Sequence, residues 1–415
     1  MNERHVIVIG GGVIGVCTAL WLARGGAKVT LLEEKELAAG ASFGNAGLIS
    51  LGHPPLPRPG LVLKSLKWMF DPTSPLLIVP RLDPALWTWL VRFARACSRK
   101  QFDRSMKLIA ALSHASRGLF EELAEREGLE FELRRTGYMD VYRTPAGFER
   151  AAEEARLIRS HGIDERIISA EEAREREPAL REGLAGAIWH NDGGFASPAS
   201  FVTQAAARAA HYGATIRTRT SVARMLTQDD DVIGVRTLSG EEIRADTVVI
   251  AAGIWSSRLA RTAGIHVPMQ GAKGYHVHVP QLEPRMRVAC NLGESFVVAT
   301  PIEGQIRLAG TLELSGVNHN LRPERVAMLT KQASDFVPGL RGLPVLSTWC
   351  GLRPCTADGL PVIGWAPRTR GLYIATGHAM MGFWLAPVTG KIASEEILGR
   401  GCEIDLAAAR PARFA

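Results

Sequence analysis

An α/β fold in two domains is predicted by three features of the 415-residue sequence. A β-branched apolar run over 5–10 leads through a glycine-rich turn into a segment, 13–24, with apolar residues at helical spacing, and 28–33 resumes as a strand. Such a βαβ unit is a right-handed crossover between parallel strands. Residues 215–253 read as strand, turn, strand, turn and strand, ending in the apolar run 247–253, a meander that feeds back into a buried parallel strand. Residues 266–315 alternate at 275–279, 296–299 and 306–309, the period of a second, antiparallel sheet. The first two features make a Rossmann-like domain and the third an α+β domain.

The remaining elements follow in order. Residues 52–71 are rich in Pro and basic groups and read as loop, whereas 72–99 turn apolar and read as amphipathic helices. A long helix is predicted over 101–127, a strand over 136–143 and a helix over 145–161. Asn191-Asp-Gly-Gly194 is a turn, and Ser197-Pro198 is a start signal for a helix to residue 212. A helix over 323–336 and a last strand-loop-helix over 372–398 complete the pattern.

Composition narrows the class. At 46% hydrophobic and 22% charged residues, the chain is that of a globular protein rather than a disordered, collagenous or coiled-coil one. The net charge of +7 does not indicate nucleic acid, because the basic residues, only nine of them Lys, are scattered and form no nucleic-acid-binding motif. Six cysteines without a C-x-x-C pair or zinc-like spacing fit a reducing cytoplasm and no metal site. The first residues already read as a buried strand, so no signal peptide is expected, and no apolar run is long enough to span a bilayer. The run 229–231 of Asp residues reads as a solvated hairpin tip.

The chemistry begins at Gly10-Gly11-Gly12-Val13-Ile14-Gly15, a G-x-G-x-x-G between strand and helix, with Glu33 and Glu34 at the end of the second strand. Glycine there permits the tight turn and lets a pyrophosphate approach the helix N-terminus, while a carboxylate at that distance accepts from ribose hydroxyls. The motif alone does not separate NAD from FAD. FAD is favoured by the 40–47 loop, whose small residues, with Ser42, Asn45, Ala46, Gly47 and the following Leu48, suit close backbone contact with a planar ring and its ribityl chain. A plain flexible loop is the bland alternative. The meander, from Val222 to Ala252-Gly253 and Trp255, resembles the second signature of two-dinucleotide-fold flavoproteins.

Three further segments carry a specific resemblance: Gly351-Leu-Arg-Pro-Cys-Thr-Ala-Asp-Gly-Leu-Pro-Val-Ile-Gly364, Gly377-His-Ala-Met-Met-Gly382 and Leu385-Ala-Pro-Val-Thr-Gly390. Together with Ser42–Gly47, Lys67–Phe70 and Lys273-Gly-Tyr275, they resemble the FAD-dependent D-amino-acid oxidase superfamily and, within it, the small-subunit type of bacterial D-amino-acid dehydrogenases. The resemblance implies a discontinuous FAD domain over 1–55, 184–265 and 345–415, and a substrate domain over 56–183 and 266–344. It also implies that Gly351, Arg353, Gly377, His378, Met380, Met381 and Gly382 border the cofactor. The implied reaction is oxidative deamination of a D-amino acid, or of a cyclic imino acid such as a D-proline derivative: hydride passes from Cα to flavin N5, and the imino acid hydrolyses. A glycine- or sarcosine-type oxidase using dioxygen is the alternative, and a non-catalytic flavin-binding sensor is the alternative outside enzymes.

Few side chains are needed. Arg353 is the expected carboxylate anchor, since guanidinium binds carboxylate bidentately. Tyr275 is a second candidate for that carboxylate, and His378 or His53 for deprotonating the substrate ammonium. The helix opening near Leu385 is expected to aim its positive end at the flavin. Cys355 is out of register with the flavin-linking cysteine of some amine-oxidising relatives, so FAD is expected to be non-covalent. Electrons pass to a quinone-linked acceptor or to dioxygen. Residues 61–95 combine Trp68, Leu76, Leu77, Ile78, Trp87 and Trp89 with Lys64, Lys67, Arg81, Arg92 and Arg95, which suits either peripheral contact with the inner face of a membrane or a cover over the active-site entrance.

Overall fold

The computed structural model describes residues 4–62 and 76–415. Its first sheet has the parallel strands His5–Ile9 (β1), Lys28–Leu32 (β2), Thr215–Arg217 (β9), Thr247–Ile250 (β13) and Leu372–Thr376 (β20), closed at one edge by the antiparallel Val362–Trp365 (β19). The order is β19-β20-β13-β1-β2-β9. Val6, Ile7 and Val8 are wholly buried because both faces of this sheet are covered, which is why the run shows no alternation. The crossover helix Val13–Arg24 (α1) packs so closely on β1 that a Cβ at Gly15 would fall 1.9 Å from the Gly10 carbonyl oxygen. The C-terminal helix Ala386–Ile397 (α9) lies against α1 just as closely: a Cβ at Gly390 would stand 2.5 Å from the Cys17 carbonyl carbon. The meander forms its own antiparallel sheet of Val222–Gln228 (β10), Asp231–Thr237 (β11) and Glu242–Arg244 (β12), and Leu48–Ile49 (β3) pairs antiparallel with Gly194–Phe195 (β8).

The second large sheet has nine strands. Ser347–Thr356 (β18), Met269–Pro280 (β14), Gln305–Leu314 (β17), Val297–Ile302 (β16), Ala289–Leu292 (β15), Tyr138–Tyr142 (β5), Gly186–His190 (β7) and Glu165–Ile168 (β6) follow in that order, and Leu76–Ile78 (β4) pairs with the end of β17. It is antiparallel as expected, except that β15 pairs parallel with β5 and β4 with β17. The sequence-derived domain boundaries differ from this topology. Residues 184–265 and 345–415 were expected in the cofactor domain, yet β7 and β18 belong to the nine-stranded sheet. A strand such as β18, with Gly-Leu-Arg-Pro-Cys at its centre, carries no alternation that marks it as one, and ten-residue pairing with β14 overrides the local signal.

Helices cover the outer surfaces. Pro84–Ala96 (α2), Arg99–Glu125 (α3), Pro145–Arg159 (α4), Pro198–His211 (α6) and Pro323–Ser334 (α8) fall on predicted helices, Ala170–Arg176 (α5) and Ser256–Arg261 (α7) are short helices the sequence pattern did not predict, and Leu76–Ile78, within the stretch read as helical, is a strand. Each of α2, α3, α4, α5 and α6 opens on an Asp, Ser or Thr whose side chain accepts from an amide of the first turn. Among the described residues of 61–95, part is committed to packing: β4 is a sheet strand, and Leu86 and Trp89 are buried. Leu82, Trp87 and Val91 are exposed. Lys64, Lys67 and Trp68 lie outside the described residues. Among the described residues no helix is long and apolar enough to cross a membrane.

Candidate functional site

The C-terminal ends of β1, β2, β13 and β20 open into a cavity of about 1330 Å³ whose opposite wall is one face of the nine-stranded sheet. This is the place where open α/β sheets bind ligands, and the topology creates it without help from any one side chain. Of the residues expected at the cofactor, Gly10, Gly12, Val13, Ile14, Glu33, Glu34, Ser42, Asn45, Ala46, Leu48, Val222, Ala252, Gly253, Trp255, Gly351, Arg353, Gly377, His378, Met380 and Gly382 line it.

Three others do not. Gly15 packs α1 onto β1. Gly47, at φ 80°, brings the chain against Ala196, whose carbonyl oxygen would be 2.4 Å from an added Cβ. Met381 is buried in the core beneath the 377–382 loop, because successive residues of that turn point to opposite sides.

The cradle fits a dinucleotide. Gly12 caps α1 with no side chain of its own, and Ser42 Oγ reaches back from the loop to accept from Val13 N at 2.9 Å. Glu33 accepts from Gly11 N at 2.6 Å and Lys35 N at 2.8 Å, which fixes its carboxylate at the cavity edge with lone pairs to spare. The 42–47 loop is fastened to the second sheet by Arg307 Nη1 on Asn45 O, 2.7 Å, and Thr300 Oγ1 on Ala46 O, 2.8 Å. Trp349 wedges the loop to β18: a Cβ at Gly44 would fall 2.0 Å, and one at Gly351 2.1 Å, from its ring. The turn before α9 also lines the cavity, so the positive end of that helix abuts it.

Arg353 is placed by a device the sequence reading did not identify. Its neighbour across the β14–β18 ladder is Ala272, and the next residue on that face, Gly274, leaves room for the guanidinium to lie across the strand; a Cβ there would meet Nη1 at 2.1 Å. Nη1 donates to Thr311 O at 2.8 Å, and the side chain makes no ion pair among the described residues. Burial lowers its pKa, yet a guanidinium stays protonated. A desolvated cation without a counter-charge calls for an anionic ligand.

Tyr275, expected beside that anchor, faces the other way. It is 1% exposed, and its hydroxyl donates to Glu313 Oε2 at 2.7 Å in a buried network with Lys273. Alternation along β14 sends Lys273 and Tyr275 away from the cavity and leaves the glycine between them on the cavity side. A glycine inside an alternating strand was the available signal.

The two histidines also separate. His378 is buried, its Nε2 bonded to Thr389 Oγ1 at 2.9 Å, and burial drives its pKa to about 3. The bond makes it a tether between the 377–382 loop and α9, and burial keeps it neutral. His53 lines the cavity with its ring 5.5 Å from that of Trp384. Its Nδ1 donates to the Pro54 carbonyl at 2.8 Å, which leaves the lone pair on Nε2. Burial and the nearby Arg58 lower its pKa, so it is a neutral base at pH 7. Among the described residues no group of His, Cys, Asp and Glu could hold a metal ion.

Comparison with known proteins agrees with this geometry. The family model for FAD dependent oxidoreductases of the DAO type matches residues 5–396. A D-amino acid dehydrogenase of Methylobacterium radiotolerans is 33% identical over 417 residues, 98% of this chain and 99% of that protein. One from Agrobacterium fabrum is 32% identical over 97% of both. Among solved structures, glycine oxidase from Geobacillus kaustophilus superimposes with a TM-score of 0.80 at 25% identity over 99% of each chain. The L-proline dehydrogenase from P. horikoshii shares the fold, with a TM-score of 0.80 at 22% identity, covering 99% of this chain and 98% of that one. The chain therefore belongs to the DAO family of FAD-dependent oxidoreductases and is an enzyme.

Proposed function

We propose that this enzyme deaminates a D-amino acid oxidatively. The observation that carries the reading is Arg353: a cation in the cavity wall, without a counter-charge among the described residues, held over Gly274 and shaped for a carboxylate. The full-length similarity to curated D-amino acid dehydrogenases supports the amino-acid part.

The bound FAD supplies the two-electron acceptor for the hydride leaving Cα. The chain's own residues do the rest. Arg353 binds the substrate carboxylate and fixes the orientation of Cα. His53 Nε2 accepts the proton that the substrate ammonium must lose, because only the neutral amine's lone pair can assist departure of hydride. Phe296, Val298, Ala309 and Trp384 line the cavity and exclude water from the reacting carbon. The product has lost two electrons and two protons, one as hydride from Cα and one from nitrogen, and water then splits the imine into keto acid and ammonia.

We infer a quinone-linked acceptor and peripheral attachment to a membrane. The support is the group of exposed Leu82, Trp87 and Val91 beside exposed Arg92 and Arg95 on and before α2, a mixture suited to a headgroup boundary. Anaerobic mixing of the purified protein with D- and L-amino acids and N-methyl amines tests the reaction. Bleaching near ~450 nm by D-amino acids supports it, and bleaching by N-methyl glycine alone replaces it with a secondary-amine oxidase. Salt-sensitive sedimentation with anionic vesicles tests the attachment, and wild type left in the supernatant at low salt rejects it.

A further inference from the structure

The end of the cavity on β5, β6 and β7 carries polar groups that neither cofactor binding nor the chemistry above uses. His190 Nε2 lies 3.1 Å from Asp140 Oδ2 and its Nδ1 lies 3.3 Å from Glu165 Oε1, while Asn291 Nδ2 donates to Asp140 Oδ1 at 2.9 Å. Tyr138 stacks on His190 with ring centroids 4.0 Å apart and shares a hydrogen bond with Ser50. The sheet register builds the group, pairing His190 with Tyr138 on one side and with Glu165 on the other, and Asp140 with Asn291.

Burial alone would lower the His190 pKa, but the two carboxylates push it up to about 9; Nε2 bonds to Asp140, while Nδ1 stands beside Glu165 without a hydrogen bond in good geometry. His190 and Asn291 hold Asp140 in its ionised form against burial. The part of this wall that the cavity reaches is the Asp140 carboxylate, 22% exposed and with spare lone pairs, whereas Glu165 Oε1 and His190 Nδ1 behind it are buried without a hydrogen bond in good geometry. All of these residues line the same cavity as Arg353.

We propose that the Asp140–His190–Glu165 wall is the side-chain subsite of this enzyme, and that it takes a substrate whose long side chain ends in a hydrogen-bond donor, an ammonium, guanidinium or hydroxyl. The inference rests on the amino-acid reading above. The Arg353 guanidinium bonds to β17, three strands from β5, a lateral span of about 14 Å at sheet spacing. A lysine-length substrate with hydrogen bonds at both ends covers that span, whereas alanine or valine does not. The floor between is apolar, with Ala309 and Val298, as methylenes require. An anionic side chain would face two carboxylates, and an apolar one would leave them desolvated.

The test compares holoenzyme turnover of D-lysine and 6-hydroxy-D-norleucine with that of 2-amino-D-heptanoate, which has the same length but ends in methyl. A site built to receive a donor discriminates strongly against the analogue lacking it, so kcat/KM for at least one donor substrate should exceed that for the methyl analogue by about tenfold or more. Glu165→Gln and Asp140→Asn should both reduce the ratio. The lysine-to-hydroxynorleucine comparison shows whether charge or donation dominates. Ratios within about twofold for both donor substrates in the wild type, which needs no variant to fold, overturn the subsite. If D-alanine reduces the flavin and the ratios are flat, only this inference falls. If no D-amino acid reduces it, the proposed function falls and takes the subsite with it.

Discussion

Gly12→Ala separates cofactor binding from folding in a way that its neighbours cannot. A Cβ at Gly10 would strike the Ala251 carbonyl oxygen at 2.5 Å and one at Gly15 the Gly10 carbonyl oxygen at 1.9 Å, so those substitutions break the packing of the turn on the 251–253 segment and of α1 on β1. At Gly12 the nearest atom is Ser42 Oγ at 3.2 Å, and φ is −78°, a conformation open to alanine. The folding cost is then that of a poorer helix cap, about 0.5–1 kcal/mol. The added methyl points into the cavity, where the pyrophosphate must approach the α1 amides. Loss of one charge-assisted amide contact is worth about 1.5–3 kcal/mol, or a roughly ten- to hundredfold weaker Kd for FAD. The assay is titration of apoprotein with FAD beside urea denaturation of the apoprotein. Unchanged affinity refutes the placement of the phosphate, and an apoprotein destabilised by several kcal/mol refutes the claim that the site is open on the protein side.

Arg353→Lys should leave FAD bound while raising substrate KM by roughly 30-fold to several-thousand-fold, since a point charge replaces a bidentate, desolvated contact; unchanged kinetics would make Arg353 structural. His53→Gln should lower kcat at neutral pH and remove the acidic limb of the rate profile, a limb expected below the ordinary histidine range because burial lowers the His53 pKa; a wild-type limb above that range excludes His53 as the base. Stability should fall as pH drops below about 6.5, because the unfolded chain takes up protons that His276 and His378, both held to about 3, refuse in the fold. Between pH 6.5 and 5 each costs about 2 kcal/mol, measurable by denaturation at the two pH values, and a flat profile contradicts their burial as neutral groups. Acid should release the flavin into the supernatant, since Cys355 is buried, does not line the cavity and has its thiol pushed up to about 12; flavin retained in the pellet shows a covalent link.

The parts of the site legible in the sequence are those made by backbone. The Gly10–Gly15 turn and Glu33 are separated by one crossover, so local spacing encodes their geometry. Arg353 was legible as a residue but not in its placement, which depends on a glycine 79 positions earlier on a neighbouring strand. Tyr275 went astray because strand parity, not residue type, decides which side faces the cavity. His190 and Asp140 left no signal at all. Each is a polar residue in a short strand, and only the pairing of β5 with β7 brings them together across 50 residues of chain. The extent of 61–95 was legible as apolar but not how it would be shared between strand, buried helix face and exposed surface.

The seating of α9 on α1, with Gly390 against Cys17, has a consequence for how the enzyme comes into being. The nucleotide motif leaves the ribosome well before the strand that carries Arg353, the loop that carries His378 and the helix that covers α1, all of which lie beyond residue 340. Until then the face of α1 destined for α9 stays open and apolar. Cofactor capture therefore waits until both halves of the site have been made, so FAD supplied to finished apoprotein should bind it as fully as FAD present during synthesis.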